Sequence, residues 1–355
     1  MLNNPFNPTF DYNRDSFIND DYISQEIITA TRNISSKWHT TLITGMRGAG
    51  KTSLLTHVSL ELKKQPHIVT VSVTSTPDLL NDVLLGVQDR VKQSPKIKGL
   101  SIKLPLLSAD IDVAPQAIAK TFKYDLEKIL DYLNSQNMAL VVLLDEVQNN
   151  TPHLDKLLDA FKSYRQLPAI LIAAGLPSAI DTIMNGKAST YLLRANRVEL
   201  MPLDVDVVRD SYLEKFKANQ LSLADAEQMA KATGGYPYMY QLMGDYVWRH
   251  VDEVVTSQDI KDAFIISQRL LFSNVYEKVL ADLEPKDREL IIAIHEAGDF
   301  DVSTQALKDI LGWNINVLST YKAKLNKWRV TQKPQRGLIS LALPYFSQFL
   351  DDYYD

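Results

Sequence analysis

The spacing of hydrophobic positions changes along the chain and predicts two kinds of segment in its first part. Short β-branched or wholly apolar runs, which predict strands, occupy residues 41–44, 68–73, 139–144, 169–174 and 198–203. Between them apolar residues recur every three or four positions, the period of an amphipathic helix. Strands that alternate with helices predict a parallel α/β sheet that binds its ligand at the carboxyl ends of the strands.

The strand pattern stops after residue 203, and helices take over. Four are predicted between residues 205 and 271, with a Gly-Gly-Tyr-Pro break at 234–237. Three more helices and a closing strand follow from residue 285, an order typical of a winged helix-turn-helix. We therefore expect an α/β domain with an N-terminal arm over 1–203, a helical lid over 204–274 and a winged helix over 275–355.

Two segments fall outside this regular pattern. Residues 4–10 are rich in Asn, Pro and Phe, and they predict an extended arm because proline restricts the backbone. We expect Phe6, Phe10 and Tyr12 to pack this arm onto the α/β domain that follows. Residues 94–117 predict either a β-hairpin insertion or a partly ordered loop, whose lysines form a solvated face or a contact surface.

A phosphate-binding loop is predicted directly after the first strand. Gly45, Gly50, Lys51 and Thr52 fit the pattern G-x-x-x-x-G-K-[ST], and a helical pattern follows them. Glycines let successive N–H groups face phosphate oxygens, Lys51 can reach the β- and γ-phosphates, and the Thr52 hydroxyl can bind Mg²⁺. The expected nucleotide contacts are Gly45, Met46, Arg47, Gly48, Ala49, Gly50, Lys51, Thr52 and Ser53.

A second nucleotide motif is predicted at the end of the run 139–144. This run lacks alternation, which is typical of a strand buried on both faces, and it ends in Asp145 and Glu146. We expect Asp145 to hold Mg²⁺ through its water shell and Glu146 to act as the general base that polarises the attacking water.

Composition limits the other classes of function. The chain has 355 residues, a formal net charge of −5 and no cysteine, which excludes disulfides, zinc–thiolate sites and a thiol nucleophile. The six histidines lack the spacing of metal ligands. No signal peptide or membrane span is visible, so we expect a cytoplasmic protein.

Basic residues are concentrated near the C-terminus of this acidic chain. The stretch 312–340 contains no Asp or Glu, and it contains Lys322, Lys324, Lys327, Arg329, Lys333 and Arg336. Such charges can neutralise DNA phosphates, with the third helix of the domain in the major groove. The alternative is a winged helix used only for protein contacts.

With these parts placed, the chain resembles AAA+ P-loop ATPases of the origin-recognition-like and archaeal ATPase group, which is related to STAND signalling NTPases. The Asn-Pro-Phe arm at 4–6, the Ala-Gly-Leu-Pro segment at 174–177 and the Gly-Tyr-Pro segment at 235–237 add to the two nucleotide motifs. The resemblance implies ATP as the nucleotide. It also implies that Tyr236 and Pro237 pack near that nucleotide.

The resemblance further implies an arginine that approaches the γ-phosphate, for which Arg194 matches and Arg197 is the alternative. Two features depart from the pattern of these relatives. The fourth strand ends in Ala-Ala-Gly at 173–175 rather than in a polar sensor residue, with Ser178 the nearest hydroxyl. A Gly-Arg box is also missing before the first strand. Slow turnover or switching therefore fits better than a processive motor.

The sequence thus predicts a Mg²⁺-dependent, ATP-hydrolysing switch that couples its nucleotide state to DNA binding, with a homo-oligomer possible on ATP binding. One alternative is a STAND-type signalling NTPase whose nucleotide state gates oligomerisation or binding of a protein partner without DNA. Another is a nucleotide-binding regulator that does not hydrolyse, against which Glu146 argues.

Overall fold

The computed structural model describes residues 4–9, 18, 22–33, 35–93, 115–148, 151, 153–185, 192, 194–251 and 253–354. Most of the predicted insertion at 94–117 lies outside the described residues, as do Phe10 and Tyr12. The described chain forms two compact units. The α/β unit comprises residues within 19–44 and 51–200, and the helical unit comprises residues within 1–18, 45–50 and 201–355.

The α/β unit is built on a parallel sheet of five strands. They are β1 (Thr40–Thr44), β2 (Ile68–Thr74), β3 (Ala139–Val147), β4 (Ala169–Gly175) and β5 (Asn196–Glu199). The spatial order is β2-β3-β4-β1-β5, and each pairing is parallel. Every residue of β4 is buried, in agreement with an apolar run that lacks alternation. The predicted α/β class and parallel sheet are confirmed.

Helices accompany these strands in the α/β unit. They are α1 (Tyr22–Ala30), α2 (Lys51–Lys63), α3 (Leu79–Gln93), α4 (Pro115–Ser135), α5 (Leu154–Ser163) and α6 (Pro177–Asn185). Side chains such as Val87, Leu130 and Phe161 join the strand residues in one apolar core. Helix α4 begins at Pro115, earlier than the start at residue 122 that the apolar spacing predicts. Proline suits the first turn of a helix, where its missing N–H has no intrahelical partner.

The first half of the helical unit contains α7 (Val205–Lys215), α8 (Leu223–Ala232), α9 (Pro237–His250), α10 (Ser257–Leu271) and α11 (Glu277–Asp282). Helix α10 begins with a capping box, in which Thr256 and Asp259 exchange hydrogen bonds between side chain and backbone. A π-helical turn, Phe272–Tyr276, leads from α10 into α11. Among the described residues, every helix is too short or too polar to span a bilayer.

The C-terminal part contains α12 (Pro285–Glu296), α13 (Thr304–Leu311), α14 (Ile315–Lys327) and α15 (Phe346–Tyr354). Three short strands, β6 (Val302–Ser303), β7 (Thr331–Gln332) and β8 (Leu338–Leu341), pair antiparallel in the order β6-β8-β7. Ser303 caps α13 by accepting from the Ala306 N–H, as its position before the helical pattern predicts. The division into separate domains at residue 274 stays a prediction.

The N-terminal arm packs on the helical unit, and the predicted packing of Phe6 on the α/β domain is wrong. The Phe6 ring is buried against Tyr212, Phe216 and Tyr240, with ring centroids 5.4 to 5.8 Å apart. Its ring covers Gly244, where an added Cβ would lie 2.3 Å from a ring carbon. The aromatic surface that receives Phe6 is built from α7 and α9, and no local signal in the arm points to it.

Candidate functional site

The predicted phosphate loop has the backbone that its glycines permit. Gly48 and Gly50 have φ of 73° and 88°. These values lie in the left-handed region, which residues other than glycine rarely adopt. Helix α2 begins at Lys51, so Lys51 and Thr52 lie in its first turn. The N–H groups of a first helical turn have no intrahelical acceptor and favour a nearby anion. The local backbone therefore agrees with phosphate binding.

A cavity of about 570 Å³ in the α/β unit is lined by one residue of each motif. Thr52 of α2 and Asp145 of β3 both line it, although 93 positions separate them in the sequence (145 − 52). The other lining residues come from α2, α3, β2 and β3: Leu55, Thr56, Ser59, Lys63, Ser72, Val73, Thr74, Asp82, Leu85 and Leu143. A hydroxyl and a carboxylate are thus present at the same cavity.

The two acids occupy an irregularity in the sheet. The pairing of β3 with β4 shifts register between Leu144 and Val147, so Asp145 and Glu146 leave the regular pairing with β4, while Asp145 still pairs with Thr74 of β2. Glu146 has φ of 55°, and its N–H donates to Asp145 Oδ1 at 2.8 Å. A left-handed backbone at a residue other than glycine costs roughly 1–3 kcal/mol and is concentrated at functional sites. The bulge leaves the Glu146 side chain exposed.

Gly175, at the end of β4, packs directly against this bulge. It pairs with Val147, and an added Cβ at Gly175 would lie 2.8 Å from the Val147 carbonyl oxygen. A side chain at this position would therefore displace the backbone directly after the acids. The glycine at the end of the fourth strand thus has a structural reason, which the apolar run alone does not reveal.

Residues 45–50 make close contacts within the helical unit. The Tyr236 hydroxyl donates to the Arg47 carbonyl oxygen, and burial raises the pKa of Tyr236, so this phenol remains a neutral donor. An added Cβ at Gly48 would lie 3.0 Å from Tyr238 Cβ and 3.1 Å from the Tyr236 ring. The Arg47 guanidinium pairs with Asp282 at 2.9 Å. The sequence motif does not predict these contacts.

Tyr236 and Pro237 thus lie next to the predicted phosphate loop. Tyr236 precedes α9 and Pro237 is its first residue. The Pro237 Cβ would lie 3.8 Å from a Cβ at Gly50, an ordinary van der Waals distance. Their predicted role beside the nucleotide agrees with these contacts and stays a prediction.

The sheet register places the two candidate arginines away from the carboxyl edge. Strand β5 runs parallel to β1 with Asn196 opposite Thr41, so Arg194 precedes the amino end of β5. Thr44, which ends β1 before the loop, is three residues further along, or about 10 Å at the rise of a strand. Arg194 and Arg197 are both exposed. Within the α/β unit, Arg194 therefore lies toward the edge opposite to Asp145.

Two of the predicted DNA-binding lysines are bound to other side chains. Lys324 Nζ lies 2.7 Å from the buried Asp287 and 2.9 Å from Glu284. Burial opposes the charge of Lys324, but hydrogen bonds and attraction from both carboxylates outweigh it and raise the pKa. Lys322 donates to Thr304 Oγ1 at 2.7 Å, and burial, with the nearby Lys333, lowers its pKa. These lysines brace the C-terminal part.

The remaining four basic residues are exposed. Lys327 ends α14, Arg329 follows it with φ of 60°, and Lys333 and Arg336 lie between β7 and β8. The predicted basic surface therefore reduces to these four side chains, and their contact with DNA stays a prediction.

The sheet order, the loop between β1 and α2, and the acids at the end of β3 define the class of fold. It is the α/β fold of AAA+ P-loop ATPases, here joined to a helical C-terminal part. A structure of a Walker-type ATPase of Pyrococcus abyssi is similar over 95% of this chain and 97% of that one, with 18% identity and a TM-score of 0.69.

Two structures of the Aeropyrum pernix ORC2 protein are also similar. Its ADPNP–ADP complexes match with a TM-score of 0.63 and 15% identity over 92% of each chain. Its ADP form matches with a TM-score of 0.56 and 15% identity, over 97% of this chain and 96% of that one. At these identities the likeness establishes the fold alone.

Residues 273–350 match a family described as a domain of unknown function (DUF8462). No curated protein matches the chain.

Proposed function

We propose that this protein binds and hydrolyses ATP with Mg²⁺, and that its nucleotide state controls binding of DNA by a C-terminal winged helix. The observation that carries the first part is the shared cavity of Thr52 and Asp145, beside a bulge that exposes Glu146. The Pyrococcus abyssi relative is a Walker-type ATPase, and the Aeropyrum pernix protein was solved with ADPNP and ADP. Both descriptions support a nucleotide as ligand.

The residues present fit a magnesium ion. Mg²⁺ prefers oxygen ligands and is usually bound by one or two carboxylates together with substrate phosphates. The Thr52 hydroxyl and the Asp145 carboxylate supply such oxygens. When bound, the ion would neutralise phosphate charge during hydrolysis.

The protein residues have separate roles in this proposal. Main-chain N–H groups of the loop and of the first turn of α2 orient the phosphates, and Lys51 holds the β- and γ-phosphates by charge. Glu146 accepts a hydrogen bond from the attacking water and orients it. Arg194 lies toward the edge of the sheet opposite to Asp145. We therefore propose that an arginine at the γ-phosphate would come from a neighbouring copy of the chain. ATP rather than GTP is proposed from the family resemblance.

The proposed control of DNA binding concerns the C-terminal part. The C-terminal helices and antiparallel strands have the order of a winged helix, and Lys327, Arg329, Lys333 and Arg336 give it an exposed basic surface. The alternative is a STAND-type signalling NTPase without DNA. The internal pairing of Lys322 and Lys324 favours this alternative, since two of the six predicted DNA-binding residues are already bound to other side chains.

A pair of variants tests the ATPase. Lys51→Ala should abolish ATP binding, whereas Glu146→Gln should retain binding and lower turnover by roughly 10²–10⁴-fold. Glu253→Gln, at an exposed position of the helical unit, is the matched control and should keep full turnover. Full turnover in Glu146→Gln would remove the proposed catalytic role.

DNA binding is tested separately. Binding measured across salt concentrations should show a steep slope, because each phosphate contact releases counterions, and replacement of Lys333 and Arg336 should reduce that slope by about 2. Absence of binding at low salt would favour the signalling alternative. Turnover measured with and without DNA, across protein concentrations, would reveal activation by DNA or by a neighbouring copy.

A further inference from the structure

The helical unit contains a second cavity, separate from the one that Thr52 and Asp145 share. Its volume is about 660 Å³, within the range of small-molecule sites. The N-terminal arm, α9, α10, the π-helical turn and α11 all contribute to its wall. The lining residues are Pro8, Thr9, Tyr238, Leu242, Asp245, Tyr246, Arg249, His250, Ile266, Ser267, Leu270, Asn274 and Lys278.

Much of this wall is apolar. Leu242 on α9 faces the same space as Ile266 and Leu270 on α10, which remain 38% and 39% exposed. The rings of Tyr246 and His250 stack with centroids 4.1 Å apart and planes 18° apart. Large aliphatic side chains beside a stacked ring pair suit the apolar body of a ligand better than water.

The charged groups of the wall favour an anion. Arg249 pairs with Asp245 at 2.6 Å, and Asp245 also accepts from Asn4, so this carboxylate is already satisfied. Lys278 is exposed and takes part in no ion pair with the described residues. The wall contains the two cations Arg249 and Lys278 and the single carboxylate of Asp245, so its net charge is positive.

One polar group of the wall lacks a partner. The Ser267 side chain is 1% exposed, and its hydroxyl makes no hydrogen bond to the described residues. An unsatisfied buried hydroxyl costs roughly 1–3 kcal/mol. A polar atom of a ligand that reached this hydroxyl would recover part of that cost.

We propose that this cavity binds a small organic anion with a flat apolar body. The body would lie against Leu242, Ile266 and Leu270, and the anionic group would face Lys278. The class includes aromatic carboxylates, sulfonates and phosphates, because each combines a ring with an oxyanion.

Tyr238 connects this cavity with residues 45–50 inside the helical unit. Its hydroxyl accepts from Asn274 Nδ2 at 3.1 Å, at the cavity, while its Cβ lies 3.0 Å from the position of a Cβ on Gly48. Asn274 belongs to the π-helical turn, a type of turn that is frequent at functional sites. A ligand that alters the Asn274–Tyr238 bond would therefore change the packing of the loop. This second step rests on the proposed nucleotide-binding function, and the binding step does not.

The binding step is tested with 8-anilinonaphthalene-1-sulfonate, an aromatic sulfonate whose fluorescence rises in apolar sites. We expect saturable binding at one site per chain. Charge reversal in Lys278→Glu should weaken it at least tenfold, and Ile266→Asp should abolish it. Lys261→Glu, which reverses an exposed charge of α10 outside the cavity wall, is the matched control and should bind as the unaltered protein does.

Unchanged near-ultraviolet circular dichroism of each variant would show that it remains folded. Binding that does not saturate, or equal binding by Lys278→Glu and Lys261→Glu, would overturn the proposal. Lys278→Met, which keeps the apolar stem and loses only the charge, should fall between the unaltered protein and Lys278→Glu.

The coupling step is measured as the affinity of a fluorescent ADP derivative, with and without saturating sulfonate. Couplings between ligand sites are commonly about 5- to 150-fold, and we expect a change of at least about fivefold. Tyr238→Phe removes the bond to Asn274 and should reduce this change, measured at a sulfonate concentration that saturates this variant. An unchanged ADP affinity with sulfonate bound would overturn the coupling alone. Failure to bind ADP at all would instead count against the nucleotide function.

Discussion

The two units of this protein differ in how their important contacts are distributed along the chain. In the α/β unit, the two predicted nucleotide motifs are short, and Thr52 of one and Asp145 of the other line one cavity at the parallel sheet. In the helical unit, one apolar core extends from Phe6 to Leu350 and depends on pairs of residues far apart in sequence. Local motifs therefore predict the candidate site of the α/β unit, whereas the contacts of the helical unit are defined by packing between distant residues.

The largest effect expected from breaking this packing concerns the N-terminal arm. Phe6→Ala removes a buried ring and should destabilise the helical unit by about 3–5 kcal/mol, measured by urea denaturation. Gly244→Ala should also destabilise, because its Cβ would lie 2.3 Å from the Phe6 ring.

The double variant sharpens this prediction. With the ring already removed, Gly244→Ala should cost little further stability, so the two single effects should not add. Additive effects would show that Phe6 and Gly244 do not contact each other in solution.

The second effect distinguishes internal from exposed basic residues in the C-terminal part. Lys324→Met leaves the buried Asp287 without its cation and should cost about 3 kcal/mol of stability. Lys333→Met, at an exposed position, should change stability by less than about 0.5 kcal/mol. Similar losses of stability in the two variants would contradict the assignment of Lys324 as a brace.

The third effect concerns Gly175, which packs against the bulge of β3 in the α/β unit. Gly175→Ala forces the Val147 carbonyl to move and should cost about 1–3 kcal/mol of stability. Because this movement displaces the acids, we expect turnover to fall at least tenfold with nucleotide affinity nearly retained. Gly298→Ala is the control for a loss of stability without an effect on the acids: its φ of 105° strains any side chain, although an added Cβ meets no atom within 4 Å, so this variant should lose stability and keep its turnover. Unchanged turnover in Gly175→Ala would separate the bulge from catalysis.

A smaller effect is expected at Tyr236. Tyr236→Phe keeps the ring and removes the hydrogen bond to the Arg47 carbonyl, which should cost the helical unit about 1 kcal/mol. Tyr353→Phe, at an exposed position near the C-terminus, is the control for loss of a phenol hydroxyl. Equal stability of the two variants in thermal denaturation would show that this bond contributes little.

The smallest effect depends on pH. Burial opposes the charge of His295, but a hydrogen bond and attraction from Asp299, with the charge of Asp351, outweigh it and raise the pKa. The charged imidazole therefore stabilises the fold fully below its unfolded pKa of about 6.5, and this stabilisation is lost as pH rises through the folded value. His295→Gln should reduce the decline in stability above pH 6.5, measured by urea denaturation at several pH values.

Much of the α/β unit could be predicted because its signals are local. The run ending in Asp145 and Glu146 has no alternation, which is how a strand buried on both faces differs from a surface strand. The pattern from Gly45 to Thr52 needs a particular backbone, so residue types alone identify it. Parallel strands then place Thr52 and Asp145 at the same edge. The end of a helix at Leu271 and the start of another at Pro285 also agree with the predicted limits, and proline suits the first turn of the second helix.

The sequence by itself determined the class of fold, the phosphate loop and the pair of acids, since short-range patterns encode each of these. Only the tertiary structure decided that Phe6 packs over Gly244, that Lys324 neutralises Asp287 and that Gly175 receives the acid bulge. Each of those facts depends on two side chains or backbone groups that meet across a large separation in sequence. Neither partner carries a local signal of the other, because burial and charge pairing are properties of the folded chain.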